Sequence, residues 1–286
     1  MRLFVAAVAV GLAVAAALAA LASISSDRRR VVVFAAPTLY ELAAEAARLT
    51  GGKVDVVSMG SVAAVRQVQL GRIPDALVSV DAELVQFLPR LRRVEPLGGF
   101  RLLLLCRDRV DLMDLRRVRF GLADPNTAPI GYRAVAALYW LAVTRNSVDV
   151  VELERALSVR FERSSDGGEV VMRLESFRPS GNFLVRDDLA GAFLLLENGA
   201  VDCVFAHSPF VVSRRLEGRY AVVEMPEELT FLGDPPVRFV AVTELGAVDV
   251  RRFEAVAVSF TEAGDSYLRA LTSVDAERFG LVTRDG

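Results

Sequence analysis

The chain has 286 residues, which is enough for one or two domains with a well-developed core. Its formal net charge of −2 excludes the strongly basic surface that nucleic-acid-binding proteins need, so we expect no nucleic-acid partner. Lys53 is the single lysine, and arginine supplies the rest of the positive side-chain charge.

The N-terminus begins with an unbroken apolar run over residues 3–22. A small-x-small pattern at residues 20–22 is typical of an export signal. The run is also long enough to span a membrane if it is not cleaved, although the arginines at 28–30, on its far side, favour cleavage. We therefore predict residues 1–30 as a signal peptide or membrane anchor, and the rest of the chain as extracellular, either secreted or membrane-anchored.

The next part of the chain alternates short apolar strands with helices. Strands are predicted over residues 31–34, 54–57 and 76–80, and helices over residues 39–49, 62–70 and 82–88. Because the connecting loops are short, this order predicts a parallel α/β domain.

The remainder of the chain continues this pattern after a charged segment at residues 107–117, which is the predicted crossing into a second domain. Strands are predicted over residues 100–105, 118–122, 159–163, 169–174, 201–205, 220–225 and 237–242. Helices are predicted over residues 134–144, 150–157, 189–196, 251–259 and 261–271. The chain thus leaves the first domain, builds a second and returns.

Two cysteines, Cys106 and Cys203, each lie in an apolar run that reads as a strand. We predict two buried thiols that act as small hydrophobic residues. An extracellular location would also permit a disulfide, and the sequence does not give the separation of the two Cα atoms.

The sequence contains no recognisable catalytic motif. It has no GxSxG or HExxH pattern and no zinc-type Cys/His spacing. The single histidine, His207, is predicted to be a hydrogen-bonded structural residue. We therefore predict that the chain is not an enzyme.

Four predicted strands end in turns that contain a hydroxyl group or a glycine. These turns are Pro37-Thr38, Gly60-Ser61, residues 129–131 and His207-Ser208. Each turn alone is an ordinary helix cap. In an open parallel sheet, ligands bind beyond the carboxyl ends of the strands, where N–H and hydroxyl groups hold oxyanions well. Together the four turns predict an anion-binding cleft.

Six blocks of the sequence, in order, resemble the extracellular molybdate/tungstate-binding proteins of archaeal ABC transporters. Residues 33–39 read VFAAPTL, similar to the motif VFHAGSL, and residues 60–66 read GSVAAVR, similar to GSVKAVR. Residues 124–133 read DPNTAPIGYR, similar to NPNDDPCGYR. The other blocks, at residues 70–75, 185–202 and 224–229, resemble LGRxxD, VRPKE…LLESGEID and ELPDEI.

The resemblance implies an α/β, two-lobed type II periplasmic-binding-protein fold. Each lobe is expected to be a mostly parallel sheet flanked by helices, with the ligand in the cleft between them. Lobe 1 is expected to comprise residues 31–110 and 210–286, and lobe 2 residues 111–209.

The resemblance also implies a site in which Thr38 replaces the family's first-loop serine, Ser61 matches its second-loop serine and His207 replaces a tyrosine. The implied ligand-binding residues are Pro37, Thr38, Gly60, Ser61, Thr127, Ala128, Pro129, Ile130 and His207. If protonated, His207 would add a cationic donor, and binding of the anion would fall as the pH rises.

Two carboxylates that the archaeal proteins add to the bound metal centre are replaced here by Ala128 and Leu189. Asp187 or Asp188 could substitute if the loop is shifted. A site with neutral donors alone is expected to hold a plain tetrahedral anion.

The expected function is capture of molybdate or tungstate for an ABC permease driven by a cytoplasmic ATPase. We expect a monomer with no cofactor and no metal held by protein side chains, and membrane association through residues 3–22 if they are not cleaved. The alternatives are a sulfate-like oxyanion binder, an enzyme on the same fold that uses His207 with Asp124 or Asp188, and a sensor without a ligand.

Overall fold

The computed structural model describes residues 30–113 and 115–282. The predicted apolar signal or anchor run, residues 3–22, lies outside the described residues. Within the two described ranges, no helix combines the length and the apolar character that crossing a membrane requires.

The described residues form short strands and helices. The strands are β1 Val31–Ala35, β2 Val54–Ser58, β3 Ala76–Ser79, β4 Arg93–Gly99, β5 Leu102–Cys106, β6 Phe120–Ala123, β7 Arg160–Arg163, β8 Glu169–Arg173, β9 Phe183–Arg186, β10 Cys203–His207, β11 Ala221–Glu224, β12 Arg238–Thr243, β13 Gly246–Val250 and β14 Glu254–Ser259. The α-helices are α1 Tyr40–Leu49, α2 Ser61–Gln69, α3 Pro129–Arg145, α4 Val150–Leu157, α5 Leu189–Glu197, α6 Ser208–Arg214 and α7 Glu262–Leu271.

These strands make three sheets, in the orders β2-β1-β3-β14-β4, β11-β5-β10-β6-β9 and β13-β12-β8-β7. The first two sheets mix parallel and antiparallel neighbours: β1 runs parallel to β2 and β3, whereas β14 is antiparallel to β3 and β4. In the second sheet β10 is parallel to β6 and antiparallel to β5. The result is a mixed α/β fold with two domains, which we call lobes.

The strand pairing divides the chain differently from the predicted lobe ranges. β5, which we expected in lobe 1, pairs with β10, and β11 pairs with β5. The reason is that β5 is apolar and buried at all five positions, so its sequence fits the centre of either sheet. The chain passes between the first and second sheets at residues 100–101 and returns to the first at residues 251–253.

Some local predictions were wrong. Residues 251–259 were predicted as a helix, but β14 occupies Glu254–Ser259 between β3 and β4, where five of its six residues are buried. Residues 82–88 form a 3₁₀ turn, Ala82–Phe87, that follows a cap by Asp81. We did not predict β4, β9, β13 or α6, and Pro209 in α6 takes an early helical position where proline needs no hydrogen-bond partner.

Cys106 and Cys203 form a disulfide, so the prediction of two free thiols was wrong. The two residues lie directly opposite each other in the antiparallel pair β5–β10, with their Cα atoms 4.1 Å apart. Because this register is set by the sheet and not by local sequence, neither apolar run could reveal it.

A buried polar cluster joins the first sheet to α3. Arg133 donates two hydrogen bonds to Asp81, at 2.7 and 3.2 Å, and both side chains are fully buried. Tyr132 donates to the same carboxylate, and burial raises the pKa of its phenol well above the ordinary value. Arg133 also donates to the carbonyls of Arg251 and Arg252 at 3.1 and 3.2 Å. The cluster therefore fixes α3 against the segment that returns to the first sheet.

Candidate ligand-binding site

A small cavity of about 60 Å³ lies between residues of the two lobes. One water needs roughly 10–15 Å³, so the cavity can hold a ligand larger than a single water molecule. Eight of the nine predicted site residues line it: Pro37, Thr38, Gly60, Ser61, Ala128, Pro129, Ile130 and His207. The other lining residues are Ala36, Val80, Asp188, Leu189, Ala190, Phe210, Ser213 and Arg214.

Two helices begin at the wall of the cavity without a side-chain cap. Gly60 precedes α2 and Ala128 precedes α3, and neither residue supplies an acceptor to the first turn. The N–H groups there need acceptors, and the helix dipole adds partial positive charge. Both helix starts therefore suit an anion.

Backbone atoms approach two glycines closely near these helix starts. A Cβ atom at Gly131 would lie 2.4 Å from the carbonyl oxygen of Ala123, which would displace β6 from the first turn of α3. At Gly60 the added carbon would lie 3.3 Å from the carbonyl oxygen of Thr127. The two walls of the cavity meet closely as a result.

Ser61 presents a hydroxyl group to the cavity from the first position of α2. Its Oγ accepts a hydrogen bond from the backbone N–H of Val80 at 3.1 Å. Among the described residues we find no acceptor for the Ser61 hydroxyl proton, although the residue is only 1% exposed. The proton is therefore free to point at a ligand.

Thr38 and His207 face each other from the two lobes, with 3.3 Å between Thr38 Oγ1 and His207 Nε2. Burial, with a smaller contribution from the charge of Arg133, lowers the pKa of His207 to about 3. The rings of Phe100, Phe210 and Phe253 surround the imidazole. His207 is thus neutral at neutral pH, so the protonated form on which a cationic donor would depend is not populated there.

Thr127 is the one predicted site residue that does not line the cavity. Its single hydroxyl proton is shared between the carbonyl of Asp124, at 3.1 Å, and the carbonyl of Asp187. These bonds hold the turn before α3 against the end of β9, so the hydroxyl is used for structure and not for a ligand.

Two charged residues line the cavity besides the predicted site residues: Asp188, which the sequence suggested only as a substitute carboxylate, and Arg214, which was not predicted. Asp188 caps α5, where its Oδ1 accepts from Gly191 N at 2.8 Å. Arg214 ends α6 and stacks on Phe210, with 4.6 Å between the guanidinium carbon and the ring centre. Recognising α6 from Pro209 at its start would have identified Arg214 as a candidate.

The buried neutral state of His207 predicts a specific acid sensitivity. Between pH 6.5 and about 3 the unfolded chain binds a proton at His207 and the folded chain does not. The free energy of unfolding therefore decreases as the pH falls through this range. We expect the free energy of unfolding to drop more steeply with acid in the wild type than in His207→Gln. Urea unfolding at about pH 7 and about pH 5 measures the difference. Parallel pH profiles for the two proteins would contradict the assignment.

Comparison with solved structures identifies the fold. The periplasmic molybdate-binding protein of Azotobacter vinelandii matches with a TM-score of 0.59 and 15% identity, covering 88% of this chain and 99% of that one. A substrate-binding domain from Clostridium difficile, described as part of a putative molybdenum ABC transporter, matches with a TM-score of 0.50 and 16% identity. The match covers 88% of this chain and 97% of that one. Iron-bound HitA from Pseudomonas aeruginosa matches with a TM-score of 0.50 and 13% identity, covering 87% of this chain and 82% of that one. The chain therefore has the periplasmic-binding-protein fold, which alone does not define a ligand.

Sequence comparison gives the family. An uncharacterized solute-binding protein of Staphylothermus marinus is 22% identical over 230 residues, which span 72% of this chain and 64% of that relative. Residues 31–279 match the family described as bacterial extracellular solute-binding protein. This match covers most of the chain, which therefore belongs to the bacterial extracellular solute-binding protein family.

Proposed function

We propose that this solute-binding protein captures a tetrahedral oxyanion, molybdate or tungstate, in the cavity between its lobes. In this proposal the loaded protein docks on a membrane permease of an ABC transporter, which a cytoplasmic ATPase drives. The observation that carries the proposal is the convergence of two uncapped helix starts and the Ser61 hydroxyl on one small cavity. Such preorganised neutral donors replace the hydration shell of an anion.

The size of the cavity supports a compact ligand. A cavity of about 60 Å³ is compatible with one tetrahedral anion. The structural similarity to a molybdate-binding protein adds support for this ligand class.

An enzymatic reaction on this fold receives less support. The acid–base groups available for such a reaction are His207 with Asp124 or Asp188. Asp124 does not line the cavity, and with a pKa of about 3 His207 is a weak base.

Calorimetric titration of the wild-type protein with molybdate, tungstate, sulfate and phosphate tests the proposal. We expect binding of the first two that is at least about tenfold tighter than binding of sulfate, which is a difference of about 1.4 kcal/mol. If sulfate bound more tightly than molybdate and tungstate, the ligand would instead be a sulfate-like anion. If none of the four anions bound, the proposal would be overturned.

Removal of the site hydroxyls should weaken binding. We expect Ser61→Ala and Thr38→Val each to cost about 1–3 kcal/mol in binding free energy, because each variant removes a donor to the anion. Calorimetric titration measures both changes.

Two variants serve as controls for this experiment. Thr38→Ser keeps the hydroxyl and should retain most of the affinity. Ser266→Ala removes an exposed hydroxyl that bonds only within α7, where it donates to the carbonyl of Glu262 and accepts from Arg269, and should change nothing. Unchanged affinity in Ser61→Ala and Thr38→Val would remove both residues from the site.

Asp188 provides a test of how the anion is coordinated. In our proposal its carboxylate caps α5 and the anion stays tetrahedral, so the negative charge only opposes binding. Asparagine caps helices equally well; we therefore expect Asp188→Asn to leave the stability unchanged and to raise the affinity for molybdate, tungstate and sulfate alike. Affinity that falls for molybdate and tungstate but not for sulfate would instead indicate a carboxylate bound to the metal atom.

A further inference from the structure

Arg214 places a positive charge beside a cavity whose other donors are neutral. The residue is exposed and ends α6, while its neighbours Phe210 and Ser213 also line the cavity. Its guanidinium lies over the ring of Phe210 at 4.6 Å and over that of Phe193 at 5.7 Å. Such stacking restricts the long side chain and favours a fixed orientation of its donors.

The guanidinium of Arg214 has no carboxylate partner within 4.0 Å in the part of the chain that the structure describes. Many other surface arginines are paired; Arg219, for example, lies 3.9 Å from Glu197. Asp188 is the other charged residue of the lining, and no ion pair joins it to Arg214. The five N–H donors of the guanidinium are therefore available to a ligand.

α6 also brings this charge to the junction of the lobes. The helix packs against the Pro37–Leu39 turn, which holds Thr38, and against the Ala276–Phe279 turn near the C-terminus. An anion that enters beside α6 therefore meets Arg214 as well as the neutral donors deeper in the cavity.

We propose that Arg214 is a cationic contact for the anion at the mouth of the cavity, and that it makes the site select divalent over monovalent oxyanions. The inference rests on the proposed function, because it assumes that the cavity binds an oxyanion. Coulomb attraction scales with the charge of the ligand, so a dianion gains about twice as much from one guanidinium as a monoanion does. Salt screens an exposed charge and should reduce this gain.

The test compares Arg214→Met with Arg215→Met by calorimetry at about 20 mM and about 0.5 M salt. Arg215 is the matched control, because it is the next residue, is exposed, and does not line the cavity. The two variants have the same net charge. Tungstate is the divalent probe and perrhenate is a monovalent tetrahedral probe of similar size.

We expect Arg214→Met to bind tungstate about tenfold more weakly than the wild type at low salt. The loss should be smaller for perrhenate and should shrink at high salt, whereas Arg215→Met should match the wild type. Arg214→Lys should retain most of the salt-dependent part of the affinity for tungstate, because it keeps the charge without the stacked guanidinium.

Three outcomes would overturn the inference. Equal affinities of the two methionine variants for tungstate would remove Arg214 from the site. If Arg214→Met lost the same affinity for tungstate as for perrhenate at both salt concentrations, the cause would be lost packing on Phe210, and the charge would have no role. Wild-type protein that binds neither probe would overturn the proposed function itself, which distinguishes that failure from the other two.

Discussion

Asp81→Asn is expected to lower the free energy of unfolding by about 3–5 kcal/mol, because it leaves a buried charge without its partner. The guanidinium of Arg133 is fully buried, and Asp81 is the only carboxylate that accepts from it in the described chain. Asparagine keeps the shape of the side chain but not its charge. Urea unfolding at neutral pH measures the change.

The reason for this sensitivity is that few other groups can compensate Arg133. Its remaining bonds go to the neutral carbonyls of Arg251 and Arg252, and the ring of Phe253 lies 4.1 Å from the guanidinium carbon. We expect the double variant Asp81→Asn with Arg133→Met to be more stable than Asp81→Asn alone, because it removes the stranded charge.

Glu162→Gln is the matched control, since it breaks the ion pair between Glu162 and Arg173, in which each side chain is about half exposed. We expect it to cost no more than about 1 kcal/mol, as surface ion pairs usually do. Similar losses for Asp81→Asn and Glu162→Gln would contradict the role assigned to the buried cluster.

Replacing both cysteines by alanine is expected to cost about 4–5 kcal/mol of stability. The disulfide joins residues that are 97 positions apart, and closing a loop of about 100 residues restricts the unfolded chain by about 4.7 kcal/mol in the chain-entropy account. The bond ties β5 to β10, the strand that ends at His207, so its loss should loosen the second sheet beside the cavity. Urea unfolding of the wild type and of the double variant measures the effect.

Reductant provides the control for this prediction. It should lower the unfolding midpoint of the wild type, once unfolding exposes the buried bond, and should leave the double variant unchanged. A wild type whose midpoint does not respond to reductant in unfolding conditions would contradict a disulfide between Cys106 and Cys203.

The cavity lining could be predicted from sequence where the signal is local. Gly60-Ser61 and Ala128-Pro129 combine a strand end, a turn residue and a helix start within a few positions, and the structure places both pairs at the cavity. The caps at Asp188 and Thr261 are local features of the same kind, and both accept a hydrogen bond from the first turn of their helix.

The features that sequence could not supply depend on residues far apart in the chain. The neutral state of His207 follows from the rings of Phe100 and Phe253, which lie about 107 and 46 positions away and meet it only in the folded protein. The disulfide depends on the register of β5 against β10 in the same way. Arg214 was missed because α6 begins at a strand end with a proline, which resembles a turn.

The most direct test of the account is anomalous diffraction from crystals of the wild-type protein grown with tungstate. We predict a single strong tungsten peak in the cavity bounded by Thr38, Ser61, Pro129 and His207, within hydrogen-bond reach of the first turns of α2 and α3. A tungsten peak elsewhere on the protein with this cavity empty would contradict the account.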